Sequence, residues 1–197
     1  MANGSTVLVE DPSIDLEIVE GMISELEDYI IKDDVYRTVI IPTSAGDQNI
    51  RMTGGDLLAR LHRLSGAKDE LTPEQQQRLE QAKQKAEQII YSLKTRFNQR
   101  LQREMRARLD SLRWFLDECA DDKQRCRVEW PFEMRNRQRI EEIVKQLGKD
   151  LPEDLATELR QIDRRIRETG RPSGFVWSPR VQKIYPRDQY WYLYMLP

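Results

Sequence analysis

The chain has 197 residues, 39% of them hydrophobic and 34% charged, with a formal net charge of −2. That length suits one domain with an appendage, and so high a charged fraction fits thin helical layers better than a sheet-rich enzyme. Near-neutrality provides no global field for nucleic acid or an acidic substrate, and two cysteines are too few for a disulfide framework or a four-ligand zinc site. Reduced, partly buried thiols are therefore expected at Cys119 and Cys126. No run approaches the roughly 18 apolar residues that cross a bilayer, and no leader pattern opens the chain, so a cytoplasmic protein without a membrane partner is expected.

Residues 1–10 read as a loose arm. Asp11-Pro12-Ser13 then starts a helix, with Asp11 before a Pro at N1 or Ser13 as the cap. Ile14, Ile18, Met22 and Leu26 form an apolar row that Leu16, Val19, Ile23 and Ile30 widen, which calls for burial against more than one neighbour. Lys32-Asp33-Asp34 ends it. Ten acids and one lysine fall within residues 1–34, against seven bases and two acids in Lys94–Arg113. The acidic helix is expected beside the basic one.

Val35–Ile41 is β-branched and closed by Pro42, Thr43–Asp47 is turn chemistry, and Gln48–Thr53 can return, giving a small hairpin at about 35–53. Two strands alone are marginal, so a third strand or a helix must lie beneath them. Asp56–Leu64 follows as a short helix. Gly54-Gly55 reads as its cap rather than a phosphate cradle, because no Walker lysine or G-x-G-x-x-G accompanies it.

The dominant stretch is the next one. Thr72-Pro73-Glu74-Gln75 is a capping box with Pro at N1. No Pro or Gly interrupts the chain from there to Pro131. Apolar residues recur from Leu79, Ala82, Ala86 and Ile90 through Leu93, Phe97 and Leu101 to Leu116 and Cys119, at about 3.6 residues per step. The spacing predicts one nearly straight helix over about 72–120, roughly 70 Å long. A strict heptad repeat, and hence a coiled coil, is not predicted.

A polar connection is expected from Asp121 through Val128. Pro131 then opens a helix carrying Met134, Ile140, Ile143 and Leu147, which Gly148 stops. Asp150-Leu151-Pro152-Glu153 reads as a second capping box, opening a helix that ends at Gly170. From Arg171 onward prolines forbid a long helix, and seven of the chain's fifteen aromatics crowd the last 23 residues. Such a tail must lie on something. A strand of Tyr190–Met195, added as the third partner of the 35–53 hairpin, is the expected arrangement; docking onto another subunit or partner is the alternative.

The predicted fold is mainly α, a helical bundle on one very long central helix (about 72–120), with a β-hairpin and an aromatic tail. Residues 1–170 are expected as the helical domain and 171–197 as the tail, packed on it or on a partner. No catalytic constellation is legible. His62 is the single histidine, which excludes a di-iron bundle and zinc peptidases and leaves a Ser-His-Asp triad without support. The carboxylate pairs Glu141-Glu142, Asp33-Asp34 and Glu17/Glu20 are ordinary helical surface. No metal, cofactor or catalytic residue is expected.

Two surfaces remain as candidates. Phe175, Trp177, Tyr190, Trp191, Tyr192 and Tyr194 are interface-forming residue types and form a candidate protein-binding set. Arg96, Arg100, Arg103, Arg106 and Arg113 span an arc of roughly 140° opposite the apolar stripe and form a candidate phosphate-tracking face. Arg135, Arg137 and Arg139 could extend it. The expected function is that of a non-enzymatic interaction or scaffold protein, self-associating through the long helix or the tail. Nucleic-acid association through the arginine face is the alternative.

Overall fold

The computed structural model describes residues 11–32 and 36–197. The expected arm at 1–10, the Asp33-Asp34 pair and the first strand residue, Val35, lie outside them. The chain divides into two compact units between Leu101 and Gln102, and residues 171–197 belong to the second.

In the first unit α1 (Pro12–Ser24) begins where Asp11 accepts the Ser13 N–H at 2.8 Å, with Pro12 in the first turn. Glu25 breaks the expected single helix, and α2 (Leu26–Ile31) follows. Strands β1 (Arg37–Thr43) and β2 (Gly46–Met52) pair antiparallel, Ile41 opposite Gln48 and Pro42 opposite Asp47. The turn is thus only Ser44-Ala45, with Gly46 at φ +101°. Pro42 sits inside the strand rather than ending it, which a two-stranded sheet tolerates because each strand has an open edge. Among the described residues the hairpin gains no third strand, and it lies on α1. Glu17 Oε2 accepts the Ser44 N–H at 2.7 Å and so fastens the turn to that helix.

Helix α3 (Gly54–Gly66) is capped by Thr53, whose hydroxyl accepts the Asp56 N–H, and the Gly54 N–H goes to the Tyr29 hydroxyl at 3.1 Å. A buried ion network joins α3 to α1. Arg60 and Arg63 both reach Asp15, at 2.6 Å each, and Arg60 also reaches Asp56 at 3.0 Å. Charges buried this deeply persist only when paired. Burial acts against the Arg60 charge, but Asp56 and Asp15 more than offset it and hold that guanidinium firmly protonated. The acids of α1 therefore pair mainly with α3 and with Arg78 of the next helix, which Glu20 binds at 2.9 Å. The arginines beyond residue 94 are not their partners in these pairs.

Helix α4 (Pro73–Ser92) starts with the predicted capping box, Gln75 N–H to Thr72 Oγ1 and Thr72 N–H to Gln75 Oε1. It does not run on to residue 120. Leu93 leaves helical geometry at φ −117°, ψ 26°, and α5 (Lys94–Asp121) begins after it. The 72–120 spine is two helices of 20 and 28 residues. Ser92 Oγ donates to the Gln88 carbonyl at 2.9 Å, a back-bond that competes with the helix ladder and bends it.

The second unit begins within α5. A single residue, Asp122, separates α5 from α6 (Lys123–Leu147), and its side chain caps α6 by accepting the Arg125 N–H at 2.9 Å. The expected polar connection to Val128 is helical, and Pro131 lies inside α6 rather than at its start. Gly148 ends α6 at φ +51°, as predicted. Helix α7 (Glu153–Thr169) has no side-chain cap, so the second capping box does not form. Strands β3 (Arg171–Pro172) and β4 (Met195–Leu196) pair with each other, and residues 191–194 form a 3₁₀ turn, not a strand. The tail is accordingly no partner for the hairpin.

Candidate interaction face at the α5–α6 corner

The apolar stripe that could have met a second copy is already used. Leu79, Ala82, Ala86, Ile90, Phe97 and Leu101 are buried in the first unit, and Met105, Leu109, Leu112, Leu116 and Cys119 in the second. The tail is similarly spent. Trp177, Tyr190, Tyr192 and Tyr194 are buried, while Phe175 and Trp191 are half-exposed. Trp177 Nε1 donates to the Pro131 carbonyl at 2.7 Å, and Arg137 lies 4.6 Å from the Tyr192 ring centroid. Lys145 Nζ donates to the Tyr190 hydroxyl at 2.6 Å, and that hydroxyl donates to Glu142 Oε1 at 2.8 Å. Burial first, then Glu142, pushes the Tyr190 phenol far above its usual range. Burial does the same at Tyr192. Trp191 keeps one face toward Arg167, at 3.7 Å.

The arginines of α5 do not form one free face. Arg100 is buried with its guanidinium 4.0 Å from the Tyr29 ring centroid. Arg106 pairs with Asp154 at 2.8 Å, and Arg113 pairs with Asp110 at 2.7 Å and with Glu158. Arg165 of α7 returns to Asp117 at 2.7 Å. Arg106 and Arg113 therefore border a charged seam between α5 and α7 while remaining exposed, as are Arg96 and Arg103. Arg137 is buried and clamped by Asp163 at 2.7 Å and Glu141 at 2.9 Å. His62 is half-buried on α3.

The large hydrophobics left exposed in the second unit, Trp114, Val128 and Phe132, are on α5 and α6, the helices that meet at Asp122. Cys119 and Cys126 are bonded to each other across it, their α-carbons 4.9 Å apart. This corrects the expectation of reduced thiols. In one continuous helix, seven residues would separate the α-carbons by about 10.5 Å, beyond disulfide reach. The break at Asp122 brings them together. Such bonds persist in oxidising surroundings, so the cysteine count no longer argues for a cytoplasmic location. Among the described residues, no helix is long and apolar enough to cross a membrane.

A cleft of about 110 Å³ opens at the bridge, lined by both cysteines, Phe115, Glu118, Asp121, Asp122, Arg125 and Glu129. Four acids against one base leave the lining with a charge of −3. Arg125 spans it, 2.8 Å from Glu129 and 3.7 Å from Glu118. Beneath, Phe115 and Trp130 pack with centroids 6.0 Å apart. Trp114 lies one turn before Glu118 along α5, and Val128 and Phe132 flank Glu129 along α6. Trp114 is thus an i,i+4 neighbour of Glu118, and Phe132 an i,i+3 neighbour of Glu129 and an i,i+4 neighbour of Val128. Trp114 is 64% exposed, Val128 66% and Phe132 49%. Reading by periodicity missed them, although Trp114 falls off the Leu112–Leu116 row and so was signalled as outward.

No family model matches the chain, and neither a curated protein nor a solved structure does. Among the described residues, no group of three or more His, Cys, Asp and Glu side chains is arranged to hold a metal ion.

Proposed function

We propose that the protein is a non-enzymatic interaction module, and that the α5–α6 corner receives a protein segment carrying basic and apolar side chains. The observation that carries this reading is the exposure of Trp114, Val128 and Phe132 on the two helices that form a cleft of charge −3. Singly exposed hydrophobics are ordinary, but two aromatics and a valine on the helices that frame one acidic cleft offer a partner both apolar anchors and charge. An acidic cleft selects a basic partner and speeds its approach. Self-association through the long helix or the tail has less support, because the stripe is buried and the tail largely so. The nucleic-acid alternative has less support, since Arg100 is buried and Arg106 and Arg113 are paired with carboxylates.

The test is calorimetric titration with an amphipathic Lys/Leu helical peptide, its Glu/Leu counterpart and duplex DNA, on the wild type and on Trp114→Ala. Binding of the basic peptide that weakens at least about tenfold in Trp114→Ala supports the reading. Its failure to bind, or equal binding to both proteins, overturns it. Salt-dependent binding of DNA in its place would establish the arginine alternative. Concentration-dependent light scattering that Trp114→Ala abolishes would identify the occupant as a second copy.

A further inference from the structure

The Cys119–Cys126 bridge borders a solvent-open cleft, and the surrounding charge is strongly one-sided. Both cysteines are nearly buried, at 5% and 2% exposure, yet both line the cleft. A small thiol therefore has a path to the sulfurs that does not require unfolding. The bridge also spans the one residue between two helices, and other contacts hold the two helices together. Those are the Phe115–Trp130 packing, the Arg125 pair with Glu118, and Arg108 Nη1 donating to Asn136 Oδ1 at 2.7 Å. Opening the bridge leaves all of them in place.

We propose that Cys119–Cys126 is a thiol-exchange site, a redox modification point whose acidic cleft favours cationic and neutral small thiols over anionic ones. An external thiolate attacks one sulfur and forms a mixed disulfide. The S–S electron pair leaves on the other sulfur, which takes a proton from solvent. A second thiol then resolves the mixed disulfide. In sum one cystine and two thiols give two cysteine thiols and one external disulfide, the protein gaining the two electrons that the thiols lose.

The two sulfurs are not equivalent. Cys126 lies in the first turn of α6, where the helix N-terminus stabilises a thiolate, and Cys119 lies in the last turn of α5, where it is disfavoured. The better leaving group departs faster, so attack falls on Cys119 and releases Cys126. The cleft adds selection by charge. A net −3 at about 7 Å, in water of ordinary ionic strength, separates two thiolates differing by two charges by roughly twentyfold in rate.

The folded, oxidised protein is exposed to cysteamine, 2-mercaptoethanol or 3-mercaptopropionate. Each rate is normalised to the same thiol acting on a small neutral disulfide, and the reaction is quenched by alkylation for mass spectrometry. Expected are reduction without denaturant, a normalised rate about twentyfold higher for cysteamine than for mercaptopropionate, and convergence of the two at 1 M salt. In Glu118→Gln/Glu129→Gln, where the lining charge falls from −3 to −1, the ratio shrinks to about threefold. The trapped intermediate carries the external thiol on Cys119 and the alkyl group on Cys126. Reduction only in denaturant, equal normalised rates, or the external thiol trapped on Cys126 would each overturn the proposal. So would a protein whose two thiols do not close under mild oxidant.

Discussion

The indole of Trp177 donates its N–H to the carbonyl of Pro131 at 2.7 Å, which ties the tail to the helix turn where a proline interrupts α6. Around that bond Trp177 meets Tyr185 edge-on at 5.2 Å, and Tyr185 meets Tyr190 edge-on at 5.0 Å. The tail is thus core of the second unit, not an accessory. Trp177→Phe should cost about 1–2 kcal/mol, from the stranded carbonyl and the lost volume. Deleting residues 171–197 should lower the melting temperature by more than about 10 °C, since it uncovers α6 along much of its length. An unchanged melting curve for the truncated protein would remove the tail from the core.

Tyr190 supplies the second anchor. Its hydroxyl bridges Lys145 and the buried carboxylate of Glu142, at 2.6 and 2.8 Å. Tyr190→Phe keeps the ring but withdraws a hydrogen bond from a charged acceptor, and should cost about 1.5–3 kcal/mol in urea unfolding. Because burial and Glu142 push this phenol upward and burial pushes up Tyr192, neither should ionise in the folded protein. Ultraviolet titration should show at least two of the seven tyrosines ionising only on alkaline unfolding. Seven smooth titrations below the unfolding pH would contradict the arrangement.

Glu133 gives a pH dependence of the opposite kind from a salt-bridged acid. Burial raises its pKa, against the Asn136 amide that donates to it at 3.0 Å. A raised folded pKa means that the native state takes up this proton before the unfolded chain does. The group's favourable contribution is full below the unfolded value and is lost as pH climbs through the folded one. Glu133→Gln, which keeps an acceptor for Asn136, should therefore stabilise the protein near pH 7 and make no difference near pH 4. Melting temperatures at the two pH values decide it, and a stabilisation confined to acid would reverse the sign.

Much of this fold was legible because it rests on local chemistry. Asp11 before Pro12, Thr72 with Gln75, and Gly148 each satisfy backbone groups within a few residues, so a single stretch of sequence carries the signal. The burial of the apolar stripe followed from its period. The break at Leu93 left that period intact, because the Leu93 N–H still reaches Ile89 and the Phe97 N–H still reaches Leu93. The disulfide depended on a one-residue corner at Asp122 that no proline or glycine marks. Pro131 misled because a proline is most at home in the first helical turn, whereas here it sits deep in α6. The arginine arc was read from one helix alone, and the carboxylates that pair with Arg106 and Arg113, Asp154 and Glu158, come from another. The interaction face was the least legible part, since the period marks Trp114 as outward but only the paired helices show that Val128 and Phe132 stay uncovered.

The hairpin rests on α1 through a contact that only glycine allows. A Cβ built on Gly21 would lie 2.6 Å from Ile41 Cγ2 and 2.8 Å from Cγ1, the stiff branch of a side chain that is itself buried. Gly21→Ala should therefore cost about 1–3 kcal/mol through overpacking, even though alanine is the better helix former. Ile41→Ala should cost about 2–4 kcal/mol through the cavity it leaves. In that background the obstacle is gone and only helix propensity remains, so adding Gly21→Ala should turn neutral or stabilise by up to about 1 kcal/mol. The change of sign is the signature of direct contact between the two positions. Additive costs in the double mutant, measured by urea midpoints, would mean that the hairpin does not bear on α1 at Gly21.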